Sequence, residues 1–185
     1  TTVVCGSTGP KNPSGAAAKA AIAKFLEEMR PHAAKAEELV AAGAIGRVIN
    51  TVGLGPHRLR PAGRPAWFFD RARSGGILTD IAAHQFDQFL AFTGATSAEV
   101  VAASAANRAH PQFPTLQDFG EALLRTEHAT GYIRVDWFTP EGLPTWGDGR
   151  IVLLGTEGTI ELRKYVDIAG RPGGDHLFPV SYTHL

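Results

Sequence analysis

The sequence predicts an α/β (α+β) domain: a largely antiparallel open-faced sheet with helices on one face. Three observations carry this. Many strand-like segments follow one another after residue 95 with few helices between them. One amphipathic helix precedes them, and one β-branched run stands ahead of that helix. The 185 residues suffice for one domain with an extra arm, and 44% hydrophobic content suffices for its core.

Taken in order, residues 1–4 read as a short strand and residues 5–15 as a glycine- and proline-rich loop. The glycines of that loop do not follow the order of a phosphate-binding turn. Ile22, Phe25, Leu26 and Met29 recur with helical spacing, and Pro31 should break that helix. A second helix from about Ala33 turns Ala36, Leu39 and Val40 inward and ends at Gly43. Residues 47–55 read as a strand, and residues 60–65 as a loop. In the aromatic trio Trp67, Phe68 and Phe69, at least two rings should pack against the sheet. The central helix begins near Thr79 and ends at Gly94. Further strands fall at 99–106, 119–126, 131–138, 150–154 and 159–163, with a hairpin turn at 155–158. Residues 170–174 are a loop. The organisation is an arm over 1–35, a substrate-binding and oligomerisation domain over 36–180 and a tail over 181–185.

Charge narrows the partners. Lys+Arg and Asp+Glu are equal at 18 each, so no electrostatic footprint for nucleic acid is present. No basic block suits a membrane surface, and no apolar run approaches the ~20 residues of a span. The N-terminus lacks the basic-then-apolar order of a signal peptide. The single cysteine, Cys5, excludes an intramolecular disulfide and suits a reducing, cytoplasmic compartment.

The central helix carries the chemistry. Asp80, His84 and Asp87 fall at i, i+4 and i+7 on one face. Ala82, Phe86, Phe89 and Leu90 fall on the other, with Ile81 and Phe92 beside them. Such a helix has an apolar back for a core and an acid/base front for a cleft. A carboxylate that orients an imidazole prepares a proton carrier near neutral pH. An ordinary polar helix surface would give the same spacing. A divalent ion held by Asp80, His84 and Asp87, with His57 as a fourth ligand, is a third reading. No second histidine on that face supports it, so no metal is assigned.

Trp67-Phe68-Phe69-Asp70, the Gly75-Gly76 pair, Asp80-Ile81-Ala82-Ala83-His84 and Asp87-Gln88-Phe89-Leu90 together resemble the Gfo/Idh/MocA family of nicotinamide-dependent sugar and polyol oxidoreductases. That family's G-G-x-L-x-D-x-x-x-H-x-x-D pattern is matched from Gly75 to Asp87. The segments 43–48, 131–137 and 152–158 resemble other strands of its substrate domain. The likeness covers roughly residues 36 to 178. It implies that Asp80 and His84 are the catalytic pair. It also implies that His57, at a strand end where several members contact substrate, grips the substrate. Arg58, Trp67 and Trp137 are further candidates for substrate contact, although a tryptophan on a strand is more often core. The cofactor implied is NAD or NADP, held mainly by a Rossmann half. The glycine-rich loop of that half and the family's E-K-P lysine are not found in this sequence. The partners implied are a sugar or polyol and, through the open sheet, further copies of the chain. As given, the chain is expected to be inactive alone. A non-catalytic carbohydrate-binding or oligomerisation domain is the alternative.

Overall fold

The computed structural model describes residues 2–3, 33–166 and 176–181. The loop expected over 5–15, the helix with Ile22 to Met29 and the loop over 170–174 lie outside the described residues. Strands β1 (Thr2–Val3), β2 (Val48–Pro56), β3 (Ala98–Ala106), β4 (Phe119–Arg125), β5 (Thr130–Asp136), β6 (Arg150–Gly155), β7 (Gly158–Arg163) and β8 (His176–Ser181) form one sheet. Their order is β1-β3-β4-β5-β2-β6-β7-β8. Two meanders, β3-β4-β5 and β6-β7-β8, thus flank the early strand β2. Every pairing is antiparallel except β2 with β5, which run parallel in the middle. The sheet expected to be largely antiparallel is so apart from that pair. The turn between β6 and β7 is the tight one expected at 155–158.

Alternation along the strands sorts the two faces. Thr51, Ala122, Leu124, Ile133 and Val135 are buried on one. Against it lie α2 (Arg71–Ser74), α3 (Ile77–Asp80) and α4 (Ala82–Thr93), contributing Ile77, Ile81, Ala82 and Phe89 to a shared core. The helix α1, over 33–41, covers the β6–β7 half. Its Ala36 is fully buried, and Leu39 and Val40 pack on Ile151, Leu153, Ile160 and Leu162, as its apolar spacing requires. Phe68 is buried and Phe69 stacks on Phe113 at 3.9 Å, while Trp67 is exposed. Two of the three aromatic rings therefore pack inward. The opposite face of the sheet stays open, with Leu123, Val152 and Val180 exposed.

Small residues decide how closely α4 sits on the sheet. A Cβ on Gly131 would lie 2.5 Å from the Phe89 ring, and one on Gly55 would lie 2.7 Å from the Gln85 side-chain nitrogen. Glycine at these positions lets the helix approach the strand backbone. The contacts also fix direction. Phe89 lies over Gly131 and Gln85 over Gly53 and Gly55, so α4 runs opposite to β2. Its first turn therefore reaches the end of β2, where His57 follows. Among the described residues, no helix is long and apolar enough to cross a membrane.

Candidate functional site

The approach to the site is built by the Gly75-Gly76 pair. Both have positive φ, +83° and +85°, a region that L side chains occupy only with strain. Gly75 closes α2 and Gly76 opens α3. The helix expected to run unbroken from Thr79 is interrupted. Ile81 donates to the Ile77 carbonyl, but the His84 amide bonds to the Ile81 carbonyl at 3.3 Å rather than to that of Asp80. Asp80 closes α3, and His84 stands in the first turn of α4. Asp80, His84 and Asp87 are all exposed, while Phe89 and Phe92 are buried and Phe86 and Leu90 partly so. Among the described residues, no hydrogen bond joins the Asp80 carboxylate to the His84 ring. One groove, of about 690 Å³, runs between Asp70–Ala72 and Asn107–Gln117, and a second is lined by Glu99 and Arg125. Neither includes Asp80 or His84.

His57 ties these residues together. Its Nδ1 lies 3.1 Å from the Gly55 carbonyl oxygen. That oxygen only accepts, so Nδ1 carries the proton and Nε2 keeps its lone pair. The ring is partly buried between Trp137, at 5.7 Å, and Trp146, at 4.3 Å. Burial pushes its pKa below the ordinary 6.5. The Gly55 carbonyl and the Asp80 charge oppose that shift, and His84 adds to it. His57 is therefore neutral near pH 7 and within electrostatic reach of both residues. It presents a hydrogen-bond acceptor.

Other candidates are engaged elsewhere. Arg58 is 9% exposed, and its Nη2 donates to the carbonyls of Pro140, Glu141 and Leu143 at 2.8, 3.3 and 2.6 Å. Nη2 is thus held by its own chain, and Nε lies 3.8 Å from the Glu141 carboxylate. Trp137 is 5% exposed and lies edge-on to Phe68, with the Arg64 guanidinium over its ring. It packs in the core, as a tryptophan on a strand more often does. Trp67 is 45% exposed and touches Phe68. Sequence reasoning missed Trp146, which is 38% exposed and lies against His57. A tryptophan in the glycine- and proline-rich run Gly142-Leu143-Pro144-Thr145-Trp146-Gly147 was the signal available.

A second histidine–carboxylate pair serves the fold. Asp118 is fully buried and accepts from the Arg108 and Ala109 amides and from His110 Nδ1, at 2.7, 2.9 and 2.8 Å. Burial alone would raise this carboxyl. The bonds from His110 and the two amides outweigh it and hold the pKa below the ordinary value. Among the described residues, no group of three or more His, Cys, Asp or Glu is placed to hold a metal ion.

Residues 33–161 match the model of the GFO/IDH/MocA C-terminal domain. The chain belongs to the GFO/IDH/MocA family. A "putative oxidoreductase" from Erwinia carotovora atroseptica is 53% identical with a TM-score of 0.78, over 82% of this chain and 45% of its own length. The aldose-aldose oxidoreductase of Caulobacter crescentus, solved with glycerol, is 22% identical with a TM-score of 0.61, over 83% of this chain and 43% of its own. The WlbA dehydrogenase of Bordetella pertussis, solved with NADH and UDP-GlcNAcA, is 24% identical with a TM-score of 0.58, over 72% of this chain and 38% of its own. This GFO/IDH/MocA chain thus spans less than half the length of each. No curated protein matches it.

Proposed function

We propose that this chain is the substrate domain of an NAD- or NADP-dependent oxidoreductase acting on a CH–OH group of a sugar or polyol. The observation that carries the reading is the neutral His57 ring within electrostatic reach of Asp80 and His84, at the break between α3 and α4. Family membership and the names of the related structures support it. The nicotinamide would accept hydride from the alcohol carbon. The described residues do not fit its pyrophosphate. The parallel pair β2 and β5 is not joined by a single crossover helix, and no βαβ unit opens a glycine turn onto a long helix. Binding of the dinucleotide is therefore not assigned to these residues.

This chain's own part is proton handling and grip. As the carbon loses hydride, the hydroxyl must lose its proton, and a nearby base lowers that barrier. His84 is exposed and free to take the proton. His57 Nε2 accepts a hydrogen bond from a substrate hydroxyl and fixes the ring's orientation. The open sheet face, where Leu123, Tyr132, Val52 and Val152 align in register across four strands, is the assembly surface for further copies of the chain. A reducing, cytoplasmic setting agrees with the single Cys5.

The test is steady-state kinetics of a complete oxidoreductase carrying this domain. His84→Ala should lower kcat by ~10²–10⁴ with a smaller change in KM. His57→Ala should mainly raise KM. Near-normal kcat in His84→Ala would remove the proton-transfer role and leave a binding or assembly domain.

A further inference from the structure

We infer that Trp146, backed by Tyr165, is the aromatic platform on which the apolar face of a cyclic sugar or polyol rests, and so selects ring-shaped over open-chain substrates. The inference rests on the proposed function and extends it to substrate class. Its first support is the holding of an exposed indole. Trp146 is 38% exposed, yet four connections fix its loop. Arg58 gathers three carbonyls of residues 140–143. The Arg58 amide donates to the Trp146 carbonyl at 2.8 Å, and His57 pairs with Gly147 as an isolated antiparallel bridge. Thr145 Oγ1 closes the turn on the Gly147 carbonyl at 2.6 Å. An aromatic ring left partly in water by such a loop is held for a contact outside the chain.

The second support is what stands beside it. The indole lies 4.3 Å from the His57 ring at 62°. Tyr165 also sits beside the indole, at 5.7 Å, and has φ +71°, a costly backbone state for an aromatic residue. An exposed indole with a second aromatic ring against it therefore stands beside the His57 acceptor. The C–H groups of a pyranose or inositol ring carry slight positive charge and meet the negative π face, while hydroxyls at the ring edge reach His57. An open-chain polyol presents no such flat face.

The test is an NMR titration of the 185-residue chain, with labelled indole and imidazole groups, using D-glucose, myo-inositol and glycerol as probes. The Trp146 indole should shift saturably with the two ring compounds. Trp146→Leu, which keeps apolar bulk without a π face, should raise their apparent Kd roughly five- to tenfold, and Trp146→Phe should recover most of the loss. Glycerol binding should be the same in all three proteins. Thermal melts verify that each variant is folded. Unchanged Kd for glucose and inositol in a folded Trp146→Leu would overturn the platform while leaving the proposed function standing. No saturable shift at Trp146, His57 or His84 with either ring compound would overturn both.

Discussion

Gly131→Ala tests how the site is carried. The new Cβ would lie 2.5 and 2.7 Å from two atoms of the Phe89 ring and 3.1 Å from Thr51 Oγ1, where ordinary contact begins at 3.4 Å. Phe89 is 1% exposed, so its ring has no room to swing away. The helix must lift from the sheet by several tenths of an ångström. Overpacking of this kind costs about 1–3 kcal/mol, and the lower unfolded-state entropy of alanine returns about 0.4–1 kcal/mol. A net loss of about 1–2 kcal/mol follows. For a chain of this size that lowers Tm by roughly 2–8 °C. Urea and thermal unfolding provide the assay, and Phe89→Leu provides the control. In the Gly131→Ala background the smaller side chain should cost less than it does alone, with a coupling of at least about 0.5 kcal/mol. A Tm equal to or above that of the parent, with no coupling, would refute the close seating of α4 and with it the register that brings His84 to His57.

Two more predictions concern the loops around the site. Asp118→Asn should cost about 2 kcal/mol at neutral pH, because three donors lose a charged, buried acceptor. The Asp118 carboxyl is held below its ordinary pKa of 3.8, so its contribution is present above that pH and is lost as pH falls through the lowered value. Urea melts at pH 7 and pH 3 should therefore show the gap between parent and variant shrinking in acid; a gap unchanged at pH 3 would contradict this. Arg58→Lys should loosen the 140–147 loop at a cost of about 1–3 kcal/mol, since an ammonium cannot reproduce the fork onto three carbonyls. Broadened Trp146 indole resonance is the expected sign, and an unchanged line would count against the clamp.

Much of the fold was legible because burial follows period. Strands β2 to β7 and the inward turn of Ala36, Leu39 and Val40 all come from spacing that one buried face imposes. The break at Ile81 was not legible. It reflects how Gly75-Gly76 aims α3 and how α4 is pinned by Phe89 and Gln85, and those are tertiary constraints. β8 escaped because Pro179 weakens the strand pattern, yet an edge strand tolerates a proline, and here it faces Ile160. Its end at Ser181 falls where a tail was expected to begin. The parallel pairing of β2 with β5 joins residues about eighty apart in sequence and has no local signature. At the site, Asp80, His84 and His57 were visible as motif and strand end. The bonds of Arg58 Nη2 to the 140–143 carbonyls and the exposed Trp146 were not, because residue type does not say which side of a strand end or loop a side chain takes.

The central claim is that Asp80, His84 and His57 act on one another as one site. Its most direct measurement is the pKa of His57, read by NMR titration of the imidazole in the parent chain, Asp80→Asn and His84→Gln. Burial should place the parent value below 6.5. Removing the Asp80 charge, which raises His57, should lower it further. Removing His84, which lowers His57, should raise it. Opposite shifts from the two substitutions would support a single coupled site. A His57 that titrates at an ordinary value, or that neither substitution moves, would contradict it.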